Sequence, residues 1–296
     1  MTENISFTPF SLRCGARLLT YERPALMGIL NVTADSFYDG GRYLGEEQML
    51  ARAKQLHEEG TDIIDIGVVS TRPGAQLLSP DEEARRLAPA VAAVRRLLPE
   101  AVISVDTCFA LPARAAVEAG ADIINDIGGG ALDEAMFDTV AALRTPYILM
   151  HNQGTPDHMQ DHPHYDHLLR EVALYFSQRL ERLHDLGVHD VLIDPGFGFA
   201  KTLQHNYQLL AEVATLRRLF PNNPLLVALS RKSMIYKLLE TTPDDALVGT
   251  TALHAAALLM GAQLLRVHDV RAAQQTITLI ATLQEAAAEN ETSYQR

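Results

Sequence analysis

Short apolar runs rich in valine and isoleucine recur along the chain, and each gives way to a stretch with helical periodicity. In order they are Ala25–Leu30, Asp62–Ile66, Val102–Asp106, Asp122–Asp126, Tyr147–His151, Asp190–Asp194, Leu225–Ser230 and Gln263–His268. The runs are apolar on both faces instead of alternating, as strands in a sheet covered by helices must be. Between them, Ser79-Pro80-Asp81-Glu82 has the form of a capping box with proline at the first helical position. Leu87, Val91, Val94 and Leu98 follow it at helical spacing and predict one buried stripe. Helices are also predicted over Glu46–Glu59, Leu203–Phe220, Asp245–Met260 and from about Val270 onward.

Eight strand–helix units in 296 residues predict a (β/α)8 TIM barrel, a fold that typically takes ~250 residues. A doubly wound open sheet is the alternative, because periodicity does not say whether a sheet closes. Residues 1–23 precede the first strand and are expected to form a hairpin plugging the barrel bottom. The barrel is expected over 24–288, with 289–296 as a flexible tail. No low-complexity linker divides the chain, so one domain is expected.

Composition narrows the function classes. With 47% hydrophobic and 21% charged residues the chain is neither disordered nor fibrous. Twenty-five basic against 37 acidic residues give a net charge of −12, which argues against nucleic acid and against anionic membranes. A few local bases in a pocket still suffice for a small anion. No stretch reaches the ~18 apolar residues of a membrane span, and the first residues lack the basic start of a secretory signal. Cys14 and Cys108 are too few for a disulfide framework, so the reducing cytoplasm is expected.

A barrel places its functional side chains at the C-terminal ends of its strands. The first run ends at Asn31 and the second leads into Ser70-Thr71-Arg72-Pro73-Gly74. Asp106, Asn125-Asp126 and Asp194 end others, and the last two lead into Ser230-Arg231-Lys232-Ser233 and Arg266-Val267-His268-Asp269. Helix capping explains some of these, Asp269 and Ser233 among them. It does not explain Arg266 and His268, two apart in a strand ending, which are expected to project into the barrel. Two chemistries separate. Lys232, Arg266, His268 and Arg72 supply positive charge where barrels commonly hold phosphate, and Asn31 suits a phosphate or one position on a hydrated Mg²⁺. Asp106, Asn125 and Asp194 line the mouth with acceptors, which match the N–H groups of an amino-substituted heterocycle. The plainer alternative is an internal salt-bridge network of the two Asp with Lys232 and Arg266.

These stretches carry a resemblance. Met27–Phe37, Ser70–Ala75, Val105-Asp106-Thr107, Asn125-Asp126-Ile127, Leu149-Met150-His151 with Gly154-Thr155-Pro156, Asp194–Phe199, Leu229–Ile235 and Leu265–Val270 resemble, in order, the dihydropteroate synthases of the pterin-binding barrel family. The resemblance implies an enzyme that joins 4-aminobenzoate to 6-hydroxymethyl-7,8-dihydropterin diphosphate in folate biosynthesis, with Mg²⁺, releasing dihydropteroate and pyrophosphate. It implies pterin binding by Asp106, Asn125, Met150, Asp194, Lys232 and Arg266. Diphosphate contacts would come from Asn31, Arg72, Arg266 and His268, with Asn31 also at the metal. Aminobenzoate, the site of sulfonamide competition, would meet Thr71, Arg72, Phe199, Lys232 and Ser233. Asn31, Arg72, Lys232, Arg266 and His268 would carry the catalysis. Mobile loops would include Asp35, Ser36 and Phe37 in the first and Ser70, Pro73 and Gly74 in the second. Small-molecule substrates and a homodimer are further implications.

Three positions depart from the family pattern: Ala34 for proline, Val68-Val69 for Gly-Glu, and Ala200 for glycine. They bear on loop dynamics, turnover and sulfonamide sensitivity. A non-catalytic pterin-binding paralogue and a pterin-dependent methyltransferase domain are the alternative functions; the Ser-Thr-Arg-Pro-Gly and Ser-Arg-Lys-Ser runs argue against the second. His158, His162, His164 and His167 read as a solvated loop, since their spacing matches no compact metal site. Cys108 reads as a small buried hydrophobe. The Gly196–Thr202 segment has neither the dinucleotide nor the P-loop spacing.

Overall fold

The computed structural model describes residues 7–32, 42–68, 78–154 and 163–294. An antiparallel hairpin, β1 (Phe10–Cys14) and β2 (Arg17–Tyr21), comes first. Eight parallel strands follow: β3 (Ala25–Asn31), β4 (Ile63–Gly67), β5 (Val102–Asp106), β6 (Ile123–Asp126), β7 (Tyr147–Met150), β8 (Val191–Asp194), β9 (Leu226–Val227) and β10 (Leu264–Val267). They pair in the order β8-β7-β6-β5-β4-β3-β10-β9. A parallel bridge between Ile193 and Leu225 joins the two ends, so the sheet is a nearly closed (β/α)8 barrel and not an open one.

Side-chain parity sorts the strand residues into two cores. Ala25, Met27, Ile63, Val102, Ile123, Ile148, Leu192, Leu226 and Leu264 point inward and pack together. Phe10, Leu12 and Cys14 of the hairpin join this cluster, so the hairpin plugs the barrel floor as expected. The intervening residues, such as Leu26, Ile64, Ile103, Ile124, Leu149, Ile193, Val227 and Leu265, face outward into the shell of helices. The same parity carried upward from the floor points Asn31, Asp106, Asn125, Met150, Asp194 and Arg266 into the barrel mouth.

The helices form where the pattern places them, with two adjustments. Ser79 caps α2 (Pro80–Leu97) by accepting from the Glu82 N–H at 3.3 Å. The Glu82 carboxylate pairs with Arg86 at 2.8 Å. Leu87, Val91 and Val94 are fully buried, and Leu98 packs against their cluster. The single helix expected over Leu203–Phe220 is two, α6 (Leu203–Ala211) and α7 (Val213–Leu219), which meet at Glu212. The strand expected over Leu225–Ser230 shrinks to the two residues of β9, with Leu225 held by a single bridge and no regular ladder from Ala228 on. The remaining helices are α1 (Arg42–Glu58), α3 (Ala110–Glu118), α4 (Met136–Leu143), α5 (Leu168–Asp185), α8 (Ser233–Tyr236), α9 (Leu247–Leu259) and α10 (Val270–Tyr294). Among the described residues, no helix is long and apolar enough to cross a membrane.

Candidate active site

The mouth is built on one cation between two carboxylates. Arg266, on β10, donates from Nε to Asp65 at 2.6 Å and from Nη2 to Asp106 at 2.7 Å. Burial works against its charge, but Asp65 and Asp106 outweigh that and hold it ionised. Asn125 donates its amide to the same Asp65 oxygen at 3.2 Å. Asp106 is raised by burial and lowered by the facing guanidinium. Part of the plainer expectation is therefore present, with an extra partner: the network is Arg266 with Asp65 and Asp106. Asp65 was not singled out from the sequence. Its signal was there, a lone charge in the run Ile63-Ile64-Asp65-Ile66-Gly67, on the inward parity of Ile63.

Across the mouth, Asp194 ends β8 and accepts from the Gly196 N–H at 2.8 Å. Burial raises its carboxyl, and Lys232 opposes that most strongly. Lys232 lies at the N-terminus of α8, where its ammonium donates to Phe197 O at 2.5 Å and sits 4.7 Å from the centre of the Phe199 ring. Burial pushes Lys232 down to about 8, with Asp194 pulling it up. Met150, Phe199, Cys108, Ile127 and Ala200 form a separate apolar cluster. Met150 is buried within it. Cys108 is buried with its thiol pushed well up by burial, in keeping with a packed side chain. Ala200 adopts φ 47°, in the left-handed region. An alanine costs roughly 1–2 kcal/mol there, a strain that a glycine would not carry.

The loops after β9 and β10 lock together on the third side. Ser230 Oγ lies 3.1 Å from His268 Nδ1 and accepts from the His268 N–H at 3.2 Å, while Arg52 donates to His268 O at 2.8 Å. Arg231 clamps Asp269 with two bonds of 2.7 and 2.8 Å. Asp269 is thus an ion-pair partner rather than only a cap, and Lys232, not Ser233, occupies the cap position of α8. His268 needs correcting in one respect. Burial, with Arg266 and Arg231 nearby, pushes it down to about 4, so it is a neutral imidazole at physiological pH and adds no positive charge.

Asn31 is exposed at the end of β3, level with Gly67 of β4. Asp126, beside Asn125, has the outward parity. It accepts from the N–H groups of Gly128 and Gly130 and from the Tyr147 hydroxyl, so it shapes the turn instead of lining the mouth. Lys201 is buried among backbone carbonyls, which excludes a P-loop role for it. It too escaped sequence reasoning. His164 pairs with Asp166 on the exposed surface, in keeping with a solvated stretch. Val68 is buried in the outer core. Asp35, Ser36, Phe37, Ser70, Thr71, Arg72, Pro73 and Gly74, with Ala34, Val69, His158 and His162, lie outside the described residues.

Comparison with known proteins gives the same assignment. Residues 27–268 match the family described as pterin binding enzyme. The dihydropteroate synthase of Escherichia coli K12 is 42% identical over 268 residues, covering 88% of this chain and 92% of that protein. That of Synechocystis is 41% identical over 273 residues, covering 91% and 93%. Among solved structures, the Yersinia pestis dihydropteroate synthase in complex with a sulfonamide drug superposes with a TM-score of 0.85 at 39% identity, covering 94% of this chain and 100% of that one. The Xanthomonas albilineans enzyme with 4-aminobenzoic acid reaches 0.83 at 41% identity, covering 94% and 99%. The chain belongs to the dihydropteroate synthase family of pterin-binding enzymes.

Proposed function

We propose that the barrel mouth binds 6-hydroxymethyl-7,8-dihydropterin diphosphate, condenses it with 4-aminobenzoate, and is the site at which sulfonamides compete. The observation that carries the reading is the charge pattern. Inward carboxylates at Asp106 and Asp194 and the amide of Asn125 meet Lys232 and Arg266 across one mouth. A pterin offers ring and exocyclic N–H donors to the acids and an oxo acceptor to Lys232. Met150 packs against the ring.

The C–O bond of the pterin methylene breaks, and its electron pair leaves with pyrophosphate. The pterin nitrogens spread the resulting positive charge, and the aniline nitrogen then forms the C–N bond and sheds a proton. No strong base is needed, because that nitrogen attacks as a neutral amine. The protein's contribution is fixed charge at the departing oxygens. Arg266 faces them with the donors its two carboxylates leave over, His268 as a neutral donor, and Arg72 from the second loop. Phe199 and Ser233, with Thr71, flank the aminobenzoate.

Asn31 suits a divalent cation that arrives with the diphosphate. Asp65 and Asp106 are already engaged by Arg266. Among the described residues, no three acidic, histidine or cysteine side chains gather as a metal cage. Asn31 would hold such an ion through its amide oxygen. Bound there, it would neutralise charge on the leaving group.

Steady-state pyrophosphate release should be stimulated by 4-aminobenzoate; release that 4-aminobenzoate does not increase, or none with both substrates, would reject the synthase reading. The rate should also have an alkaline limb. Lys232 acts as an ammonium, so kcat/KM should fall as pH rises past about 8, where burial places its titration. A flat profile to well above that value would remove Lys232 from the binding set.

Exposed Val248 on α9 and Leu279 and Leu283 on α10, two helices that pack together, support a homodimer. Light scattering should give twice the 32.5 kDa chain mass, and a monomer at micromolar concentration would refute it. Free, buried Cys14 and Cys108 fit the reducing cytoplasm.

A further inference from the structure

The turn after β8 contains a buried lysine for which the reaction has no direct use. Lys201 is 3% exposed. Its ammonium donates to Gly196 O, Phe199 O and His151 Nδ1, each at 3.0 Å. Burial pushes Lys201 down to about 7, with Asp194 pulling it up; three donors meet three acceptors, so the protonated form is the one whose hydrogen bonds are all satisfied. His151 accepts because it is neutral: burial, then the charges of Lys201 and Arg179, push it well below its ordinary value. The imidazole is in turn packed by the rings of Tyr165, Tyr175 and Phe176, which gives Lys201 a rigid anchor.

The two carbonyls bracket the residues that seat Lys232. Between them lies Phe197, whose carbonyl accepts from the Lys232 ammonium, and the second belongs to Phe199, whose ring stands beside it. The turn is tightly bent. Gly196 has φ 71°, and a Cβ there would fall 2.0 Å from His151 O. A backbone drawn this close to the end of β7 needs an attractive tie, and Lys201 supplies it.

We propose that Lys201 is a positioning residue of the pterin site, an internal ammonium that ties the 196–199 turn to β7 and balances the Asp194 carboxylate, so that Asp194, Phe199 and Lys232 are in place before substrate binds. The proposal rests on the reading of Asp194 and Lys232 as pterin-binding groups. Asp194 faces Lys232, Arg266 and Lys201 and accepts from Gly196; Lys201 faces Asp194, Lys232 and His151, with Arg179 and His205 behind. Burial alone favours protonated Asp194, and each of the three cations opposes that. Removing one of them must raise its titration and bring on loss of pterin binding at higher pH.

The test uses 6-hydroxymethyl-7,8-dihydropterin, which lacks the diphosphate and so reads the pterin site alone. Calorimetric titrations of the wild-type chain, Lys201→Met and Lys201→Gln would run from about pH 5.5 to 8.5. Lys201→Met should bind about tenfold more weakly at neutral pH, and Lys201→Gln more weakly than the wild type. The acidic limit of binding should move up by about one pH unit. Glutamine keeps donors for the turn but not the charge, so it should show the pH shift with the smaller loss of affinity. Unchanged affinity and pH profile would overturn the proposal. So would weaker binding with an unmoved acidic limit, or failure of both variants to fold, since either would make Lys201 a core brace only. A wild-type chain that binds no pterin would reject the site reading itself, and this proposal with it.

Discussion

Arg266→Met should destabilise the fold by about 3–5 kcal/mol, the usual result of removing one member of a buried ion pair. The reason is in the two contacts. Asp65 and Asp106 approach the guanidinium at 2.6 and 2.7 Å, and methionine leaves both carboxylates facing one another without a cation. Asp65 is wholly buried, so water offers it little compensation. The loss should depend on pH with a defined sign. Asp106 is already raised by burial, and without the facing guanidinium it rises further. The folded chain then binds more protons than the unfolded one above the ordinary aspartate value of about 3.9. Stability therefore falls as pH climbs from there toward the new folded value. Urea unfolding across that range checks it; a variant as stable at neutral pH as the wild type would show that the network carries no weight. Turnover should fall by about 10²–10³, the usual result of removing one donor at developing charge.

Asp194→Asn should abolish most pterin affinity while leaving the fold intact. Asparagine keeps an oxygen for the Gly196 N–H, now 2.8 Å from Asp194 Oδ1, so the turn retains its hydrogen bond. What changes is the group offered to the ligand. The second carboxylate oxygen becomes an NH₂, and a donor then meets a pterin donor. Leaving buried polar groups unpaired in this way costs roughly 2–4 kcal/mol when one was charged, or about 30- to 1000-fold in Kd. The change also removes the anion that opposes burial at Lys232. Lys232 should then titrate lower, and the alkaline limb of any residual activity should move to lower pH. Unaltered turnover and pterin affinity would take Asp194 out of the pterin site.

Both predictions concern residues whose environment is assembled from distant parts of the chain, and that marks the division between what the sequence settles and what it does not. The eight apolar runs were sufficient for the barrel, because strands buried on both faces leave a continuous hydrophobic signal. Their place at the strand ends was sufficient to send Asn31, Asp106, Asn125, Asp194 and Arg266 to one mouth. Asp65, within its strand on the inward parity of Ile63, was masked by the neighbouring apolar residues. The hairpin was placed at the floor because its length precedes the first strand, and Leu12 and Cys14 do pack there.

Partner choice was not legible. Arg266 finds Asp65, 201 residues away, only because β4 and β10 both pair with β3 and so stand on either side of it. The neutrality of His268 likewise depends on burial beside Arg266 and Arg231, and no local pattern encodes a dielectric. Lys201 shows the limit most clearly. In the sequence it is one more lysine after a glycine-rich turn whose spacing fits no nucleotide loop. Its three acceptors come from the turn itself and from the end of a strand fifty residues earlier, and only packing them around one point gives the ammonium its place. The sequence by itself determined which residues stand at the barrel mouth, since the end of an apolar run is a local property. The tertiary structure alone decided which of them are charged and to whom they are bound, since those depend on burial and on distances between strands that are far apart in the chain.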